Sequence, residues 1–375
     1  MTPSGSPPTS DPSSDAVDGT GWDDGTVVVV GAGIAGLACA AALRTGGADV
    51  VVLDRGRQPG GRLGLRRTGG GQGDDGRRVV DVGAAYAVPR DTAFAALAAS
   101  WEDRGLAHPW TDTLDALERG DDGRVTRTSK TGPVRWAAPG GLRSLTDDLA
   151  AALADDGVPV RRHDVRTVDR VGPAGDGGGP GRLVVDGVPC RAVVLAMPDP
   201  QAVRLCGPGV AAEVAPLRAR SWSPVVTVWA RWDEAWWPPM DAAFVNGSDT
   251  VELVADDGRR RGDGAAVLVA HSTADLARAH LGEPEGAVAP VLAELGALLG
   301  DPAAGAPPAP VEQGAQRWTF ARPDEGREET SWLSGGLGVC GDAWGPRPGV
   351  EQAWLSGTAL GARLAAAVAA GTDRS

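Results

Sequence analysis

The residues with the clearest chemical potential are Gly31, Gly33 and Gly36, which follow the run TVVVV and open an alanine-rich segment. Gly31 permits a tight turn, Gly33 lets the backbone approach a diphosphate, and Gly36 lets helix and strand pack closely. The helix start at Ile34 and Ala35 then offers N–H groups to phosphate oxygens. Asp54 ends the next apolar run 18 residues beyond Gly36, where it can accept hydrogen bonds from an adenosine ribose, and Arg55 stands beside it. This is the chemistry of dinucleotide binding. With 55 glycines in 375 residues the pattern G-x-G-x-x-G arises about once by chance, and it occurs three times. The copy from Gly71 to Gly76 lies in a polar stretch, and the copy from Gly336 to Gly341 precedes a strand pattern instead of following one, so both are read as chance.

The elements that must position these residues are a strand over Thr26 to Val30, a helix ending at Gly46 and Gly47, and a strand over Ala48 to Asp54. Together they form a βαβ unit with a right-handed crossover. Arg77 to Gly83 reads as a third strand, and Asp91 to Gly105 as a helix with Asp91 as its N-cap. An amphipathic helix over Gly140 to Gly157 precedes strand patterns that alternate around a glycine-rich turn, Gly172 to Gly181. Cys190 to Pro198 reads as a buried strand, Trp222 to His280 as antiparallel strands, and Glu285 to Gly300 as a helix. Pro302 to Pro310 is a linker, and the chain closes with a strand to Asp342 and a helix from about Val350 to Ala370.

The fold class expected is α/β. A Rossmann-like dinucleotide-binding domain (25–90, 139–200, 331–375) is joined to a smaller α+β substrate domain with an antiparallel sheet (91–138, 201–330), behind a disordered tail, 1–24. The balance of 36 Lys plus Arg against 49 Asp plus Glu leaves a net charge of −13, which repels phosphate backbones and anionic lipid and argues against nucleic acid as a partner. The apolar run Val27 to Leu43 is shorter than a membrane span and carries glycines. A soluble, cytoplasmic protein is expected. Cys39, Cys190, Cys206 and Cys340 lie far apart in the sequence, without a CxxC pair, and neither they nor the four histidines have metal spacing. No metal site is expected.

Gly60, Gly61 and Arg62 follow the second strand. This stretch resembles the flavin amine oxidase superfamily, in which the same glycines and arginine pack along the FAD diphosphate and ribityl chain. Arg66 and Arg67 are read as solvated loop residues. The closing segment repeats the resemblance: Gly341 and Asp342 end a strand, with the Asp342 carboxylate on the ribityl hydroxyls, and the helix start at Val350 lies under the flavin ring. The resemblance implies FAD. Noncovalent attachment is expected, because no flavinylating cysteine stands near the C-terminal motif.

A narrower resemblance rests on GGRL, DVGAAY, WAAPGGLRSLTDDLAAAL, VVLAMPDPQA, HSTADLARAHL, QRWTFARP and GDAWGPRPGVEQAWLSGTALG. Together they are similar to the bacterial renalase-like flavoproteins, and the similarity spans Thr26 to Ala369. It implies oxidation of an isomeric dihydronicotinamide dinucleotide, with a hydride passed to FAD and oxygen as the acceptor. It also places adenine on the backbone of Val165, taken to lie on a strand. Typical amine oxidases of the superfamily use two aromatic residues, commonly tyrosines, and a lysine near the flavin. Here the one tyrosine is Tyr86 and the one lysine is Lys130. Hydride transfer from a dihydropyridine needs apposition and no base. Tyr86 and His271 are the candidates for contact with substrate, and His271 has a second reading as a satisfied strand-end histidine. Arg259, Arg260 and Arg261, in a stretch that departs from the family pattern, are read as a solvated hairpin tip. Trp229, Trp232, Trp236 and Trp237 are read as packing residues. The competing functions are an amine oxidase or another oxidase or desaturase of the same fold, and a non-catalytic dinucleotide-binding protein.

Overall fold

The computed structural model describes residues 21–69, 78–172 except 121 and 123, and 181–372 except 302 and 304. The chain begins with β1 (Val27–Val30), α1 (Ile34–Thr45), β2 (Val50–Asp54), β3 (Leu65–Thr68), β4 (Arg78–Asp81), α2 (Thr92–Asp103), β5 (His108–Arg119), β6 (Val125–Ala137) and α3 (Arg143–Asp155). It continues through β7 (Val160–Arg162), β8 (Val168–Val171), β9 (Arg182–Val185), β10 (Val188–Pro189), β11 (Ala192–Leu195), α4 (Asp199–Leu205), β12 (Trp222–Arg231), β13 (Ala242–Asn246) and β14 (Val251–Asp256). The last elements are α5 (Asp257–Arg261), β15 (Val267–Ser272), α6 (Ala274–Ala279), α7 (Val288–Leu299), β16 (Glu312–Pro323), β17 (Trp332–Ser334), β18 (Leu337–Val339) and α8 (Val350–Thr372).

The continuous valine run of β1 is buried on both faces. Val27 and Val29 enter one core cluster, and Val28 and Val30 enter another on the opposite side, as the two-residue period of a strand dictates. β1 lies inside a six-stranded sheet of order β17-β18-β11-β1-β2-β7, parallel except for the edge strand β17. The chain runs from β1 outward to β2 on one side and only later returns to β11 and β18 on the other. The crevice at the carboxyl ends of β1 and β11 is therefore a topological switch point, where such sheets bind ligands. α1 and α8 cover one face. The last helix is long and apolar, and it approaches α1 so closely that a Cβ on Gly357 would lie 2.0 Å from the Ala35 carbonyl oxygen.

The second large sheet has the order β16-β12-β15-β14-β13-β5-β6 and is antiparallel except where β5 meets β13. Its core joins Val226, Val228, Leu268 and Ala270 to Leu295 and Leu298 of α7, and it includes Trp232 and Trp237. Trp232, Trp236 and Trp237 pack edge to face, as packing residues do.

Several expectations are corrected. The indole of Trp22 is buried in the core and meets His163 edge-on at 5.8 Å, so the fold begins before Asp24; residues 1–20 of the expected tail lie outside the described residues. The third predicted strand is β4, which pairs with β3 in a separate two-stranded sheet, and Arg77 lies outside the described residues, as do Gly71 to Gly76 and most of the turn from Gly172 to Gly181. Asp91 does cap α2, accepting from the N–H groups of Ala93 and Phe94. That helix and the segment 201–219, both assigned to the substrate side by sequence, bury Phe94, Trp101, Ala202 and Leu217 against the parallel sheet. Cys39 and Cys340, far apart in sequence, are neighbours in the core, where the Cys340 thiol faces the Ala35 carbonyl.

The largest correction is the arginine run. Asp256 caps the short helix α5, which turns Arg260 and Arg261 inward, 1% and 7% exposed. Asp257 receives both side chains and also Arg78 at 2.6 Å, while Arg261 pairs with Asp81 at 2.8 Å. Burial pushes the Asp257 carboxyl upward, but the three guanidinium groups outweigh it and hold it at about 2. Arg260 also donates to the Ala85 carbonyl, and Arg261 to those of Ala138 and Pro139. These charges pin the second sheet to the loops beside the first.

Candidate functional site

The glycine turn after β1 has the geometry its residues require. Gly31 has φ +110°, and a Cβ there would lie 2.7 Å from the Ala196 carbonyl oxygen at the end of β11. A Cβ on Gly36 would meet the Gly31 carbonyl at 1.9 Å, so helix and turn close only on glycine. Gly33 is the N-cap of α1; no side chain caps this helix and no acidic residue stands in its first turn. Its N–H groups, Ile34 and Ala35 included, are left for an anion. Gly61, with φ +54°, closes the cradle from above, since a Cβ on it would lie 3.3 Å from the Gly33 Cα.

Asp54 sits beside this turn as expected and has a further task. Its carboxylate accepts from the N–H of Ala32 at 2.7 Å and of Gly56 at 2.6 Å, so it holds both loops in place while keeping lone pairs for a ribose. Arg55 is exposed next to it. Val165 is not on a strand. It lies in the loop between β7 and β8, buried, and reaches the Asp54 end of the sheet because the N–H of His163 donates to the Asp54 carbonyl.

Arg62 and Asp342 come together from opposite ends of the chain. Their ion pair has two contacts, 2.9 and 2.5 Å, and Arg62 also donates to the Ala321 carbonyl at 3.0 Å and lies over the Trp222 ring. Gly341 donates to Ser356 of α8, which fixes the strand end against that helix, and Val350 is buried at the helix start.

An open cleft of about 190 Å3 runs beside Gly60, Gly61 and Gly64. Its other walls include Arg66, Arg143, Gln316 and Trp318, residues to which the sequence reading gave no role in the site. Arg66 and Arg67 lie on β3 and not in a loop, and Arg66 donates to the Gln316 side-chain oxygen. Trp318 donates its indole N–H to the Val82 carbonyl at 2.6 Å, and its ring edge would meet a Cβ on Gly64 at 2.9 Å. A larger apolar groove of about 530 Å3 lies elsewhere, between Trp236, α7 and the proline-rich segment 305–310, and has no titratable lining.

Tyr86 and His271 do not line the cleft. Both attach to the segment between Gly83 and Tyr86. His271 on β15 hydrogen-bonds to the Gly83 backbone; burial, with Arg260 and Arg322 adding repulsion, pushes its imidazole down to about 4. Tyr86 packs beside Trp110, with the Arg135 guanidinium 5.4 Å from its ring centre. Lys130 is exposed on β6, the edge strand of the second sheet.

The profile of the NAD(P)-binding Rossmann-like domain matches residues 29–101, and that of the flavin-containing amine oxidoreductases matches residues 92–359. The chain belongs to the flavin-containing amine oxidoreductase family. Among solved structures it is similar to putrescine oxidase bound to putrescine (TM-score 0.67, 19% identity, 92% of this chain and 99% of that one). It is also similar to a putative protoporphyrinogen oxidase from an Exiguobacterium species (0.69, 15%, 92% and 100%). A third is cyclohexylamine oxidase from Brevibacterium oxydans (0.65, 18%, 93% and 100%). This family member is an FAD-dependent oxidoreductase, and the uncapped α1 with its side-chain-free cradle fits the diphosphate of FAD.

Proposed function

We propose that this flavin-containing oxidoreductase oxidises a reduced nicotinamide dinucleotide with the hydride at a non-standard ring position, as the renalase-like proteins do. FAD, held noncovalently, supplies the hydride acceptor, and oxygen then takes the electrons as hydrogen peroxide. Gly31, Gly33, Gly36 and Gly61 with the start of α1 are the residues for its diphosphate, Asp54 and Val165 for its adenosine end, and Arg62, Asp342 and Val350 for its ribityl and ring end.

The observation that carries the reading is what covers the cleft beside Gly64. It is the indole of Trp318, fixed by its bond to Val82, while the only lysine is exposed on β6. An aromatic wall suits a flat dihydropyridine, whose hydride transfer asks for apposition and no proton acceptor. His271 agrees with this: an imidazole at about 4 is neutral at pH 7 and a weak base. Amine oxidation is the second reading, favoured by the likeness to putrescine and cyclohexylamine oxidases.

Anaerobic stopped-flow absorbance at the oxidised flavin band separates the two. Isomeric dihydronicotinamide dinucleotides are expected to bleach the flavin faster than ordinary reduced NAD and faster than any amine. A primary amine or polyamine that outpaces every dihydronicotinamide tested overturns the proposal and leaves the amine reading in its place.

A further inference from the structure

The cleft beside Gly61 is lined by two arginines, Arg66 and Arg143, and its lining contains no carboxylate. Arg66 reaches it from β3, Gln316 from β16, and Arg143 from the first residue of α3, so three separate chain segments converge there. Gly60, with φ +139°, makes room for this: the Arg143 Cγ and Cδ lie 2.7 and 2.9 Å from where a Cβ on Gly60 would stand. The stem of Arg143 is thus folded flat over the glycine loop.

Its head is poorly satisfied. The Arg143 Nε is buried with no hydrogen-bond acceptor, and the carboxylate nearest in charge, Asp147 one turn along α3, stands 3.7 Å away and is half-exposed. A buried donor without an acceptor is costly, and a ligand oxygen placed there removes that cost. Arg66 has a neutral partner, the Gln316 amide oxygen, which leaves its charge uncompensated. Two guanidinium groups on a carboxylate-free lining are the pattern that recognises phosphate oxygens and repels an amine cation.

We infer that Arg66 and Arg143 clamp the diphosphate of the substrate at the mouth of the cleft, with Gln316 orienting Arg66. The inference rests on the proposed dinucleotide substrate. FAD also carries a diphosphate, whose cradle shares Gly61 with this cleft, but the turn at Gly33 and the free N–H groups of α1 already provide for it, so the arginines are assigned to the substrate.

The test uses FAD-loaded protein, wild type beside Arg66→Gln, Arg143→Gln and Arg66→Lys. Anaerobic flavin bleaching is followed with an isomeric dihydronicotinamide dinucleotide and with the corresponding phosphate-free riboside. In each Gln variant the half-saturating concentration of the dinucleotide should rise about tenfold to hundredfold, the span of a charged hydrogen bond. The limiting rate and the riboside should be unaffected, and Arg66→Lys should recover part of the loss. Calorimetric titration of the same holoproteins with inorganic pyrophosphate should show binding to wild type that is lost in the Gln variants.

Equal effects on dinucleotide and riboside, or none, overturn the clamp. FAD lost on gel filtration of the Gln variants also overturns it, because the arginines then serve the cofactor. Should amines alone bleach the wild type, the parent proposal fails, and the pyrophosphate titration still decides whether the arginines bind this anion.

Discussion

Replacing His271 with Gln removes one titrating group and leaves a side chain able to hydrogen-bond. In the folded protein burial and two arginines depress the imidazole from its ordinary 6.5 to about 4. In the unfolded chain it titrates near 6.5. Above pH 6.5 the ring is neutral in both states and the full stability is present. As the pH falls below 6.5 the unfolded chain takes up the proton first, so stability drops until the folded imidazole protonates near 4. A depression of that size corresponds to about 3 kcal/mol, and screening of the half-buried ring brings it to about 2 to 3 kcal/mol. Urea unfolding at fixed FAD concentration, at intervals from pH 7.5 to 4, should show wild type losing that much more stability than His271→Gln over this range. Subtracting the two curves cancels the many carboxylates that also titrate. Parallel curves would refute the half-buried, arginine-flanked imidazole described above.

Asp257→Asn should cost about 3 to 5 kcal/mol in urea unfolding, because it leaves the buried Arg260 and Arg261 with one remaining carboxylate, Asp81, and Arg78 with Asp263 alone; a loss below about 1 kcal/mol would show the network to be solvated. Asp342→Ala should weaken FAD retention by about 1.5 to 3 kcal/mol, read by titrating apoprotein with FAD, and unchanged affinity would mean that Asp342 does not meet the cofactor.

How far the sequence foretold this arrangement depends on the range over which each signal acts. The βαβ unit at the start was legible because a buried valine run, a glycine turn and the Asp54 strand end act within thirty residues or so of one another. The Asp91 cap was legible for the same reason: its bonds go to Ala93 and Phe94. Arg260 and Arg261 were misread because a charge run means solvent unless its partners are known, and one partner, Asp81, lies 180 residues away. The strand β3 was missed because its partner β4 lies beyond a polar glycine stretch that reads as loop. Trp318 stood within a recognised motif, but its place beside Gly64 comes from β16 joining β12 at the sheet edge, which no local pattern reports. Arg62 and Asp342 were each singled out by a local motif, while their meeting was not legible.

That meeting sets a schedule for making the protein. Arg62 and Asp342 are 280 residues apart, so at roughly 5 to 20 residues per second of synthesis the carboxylate emerges roughly 14 to 56 seconds after the arginine. During this interval β1 and β2 can pair, but the surface of α1 that α8 will cover stands open, and the strand edge of β11 awaits β18. The nascent chain therefore carries a finished glycine turn with no partner to complete it. Flavin capture belongs to the last moments after release from the ribosome, and a chain cut short before β18 forfeits its cofactor along with its final helix. An apolar helix face left bare for that long is also what a cell's chaperones are built to shield.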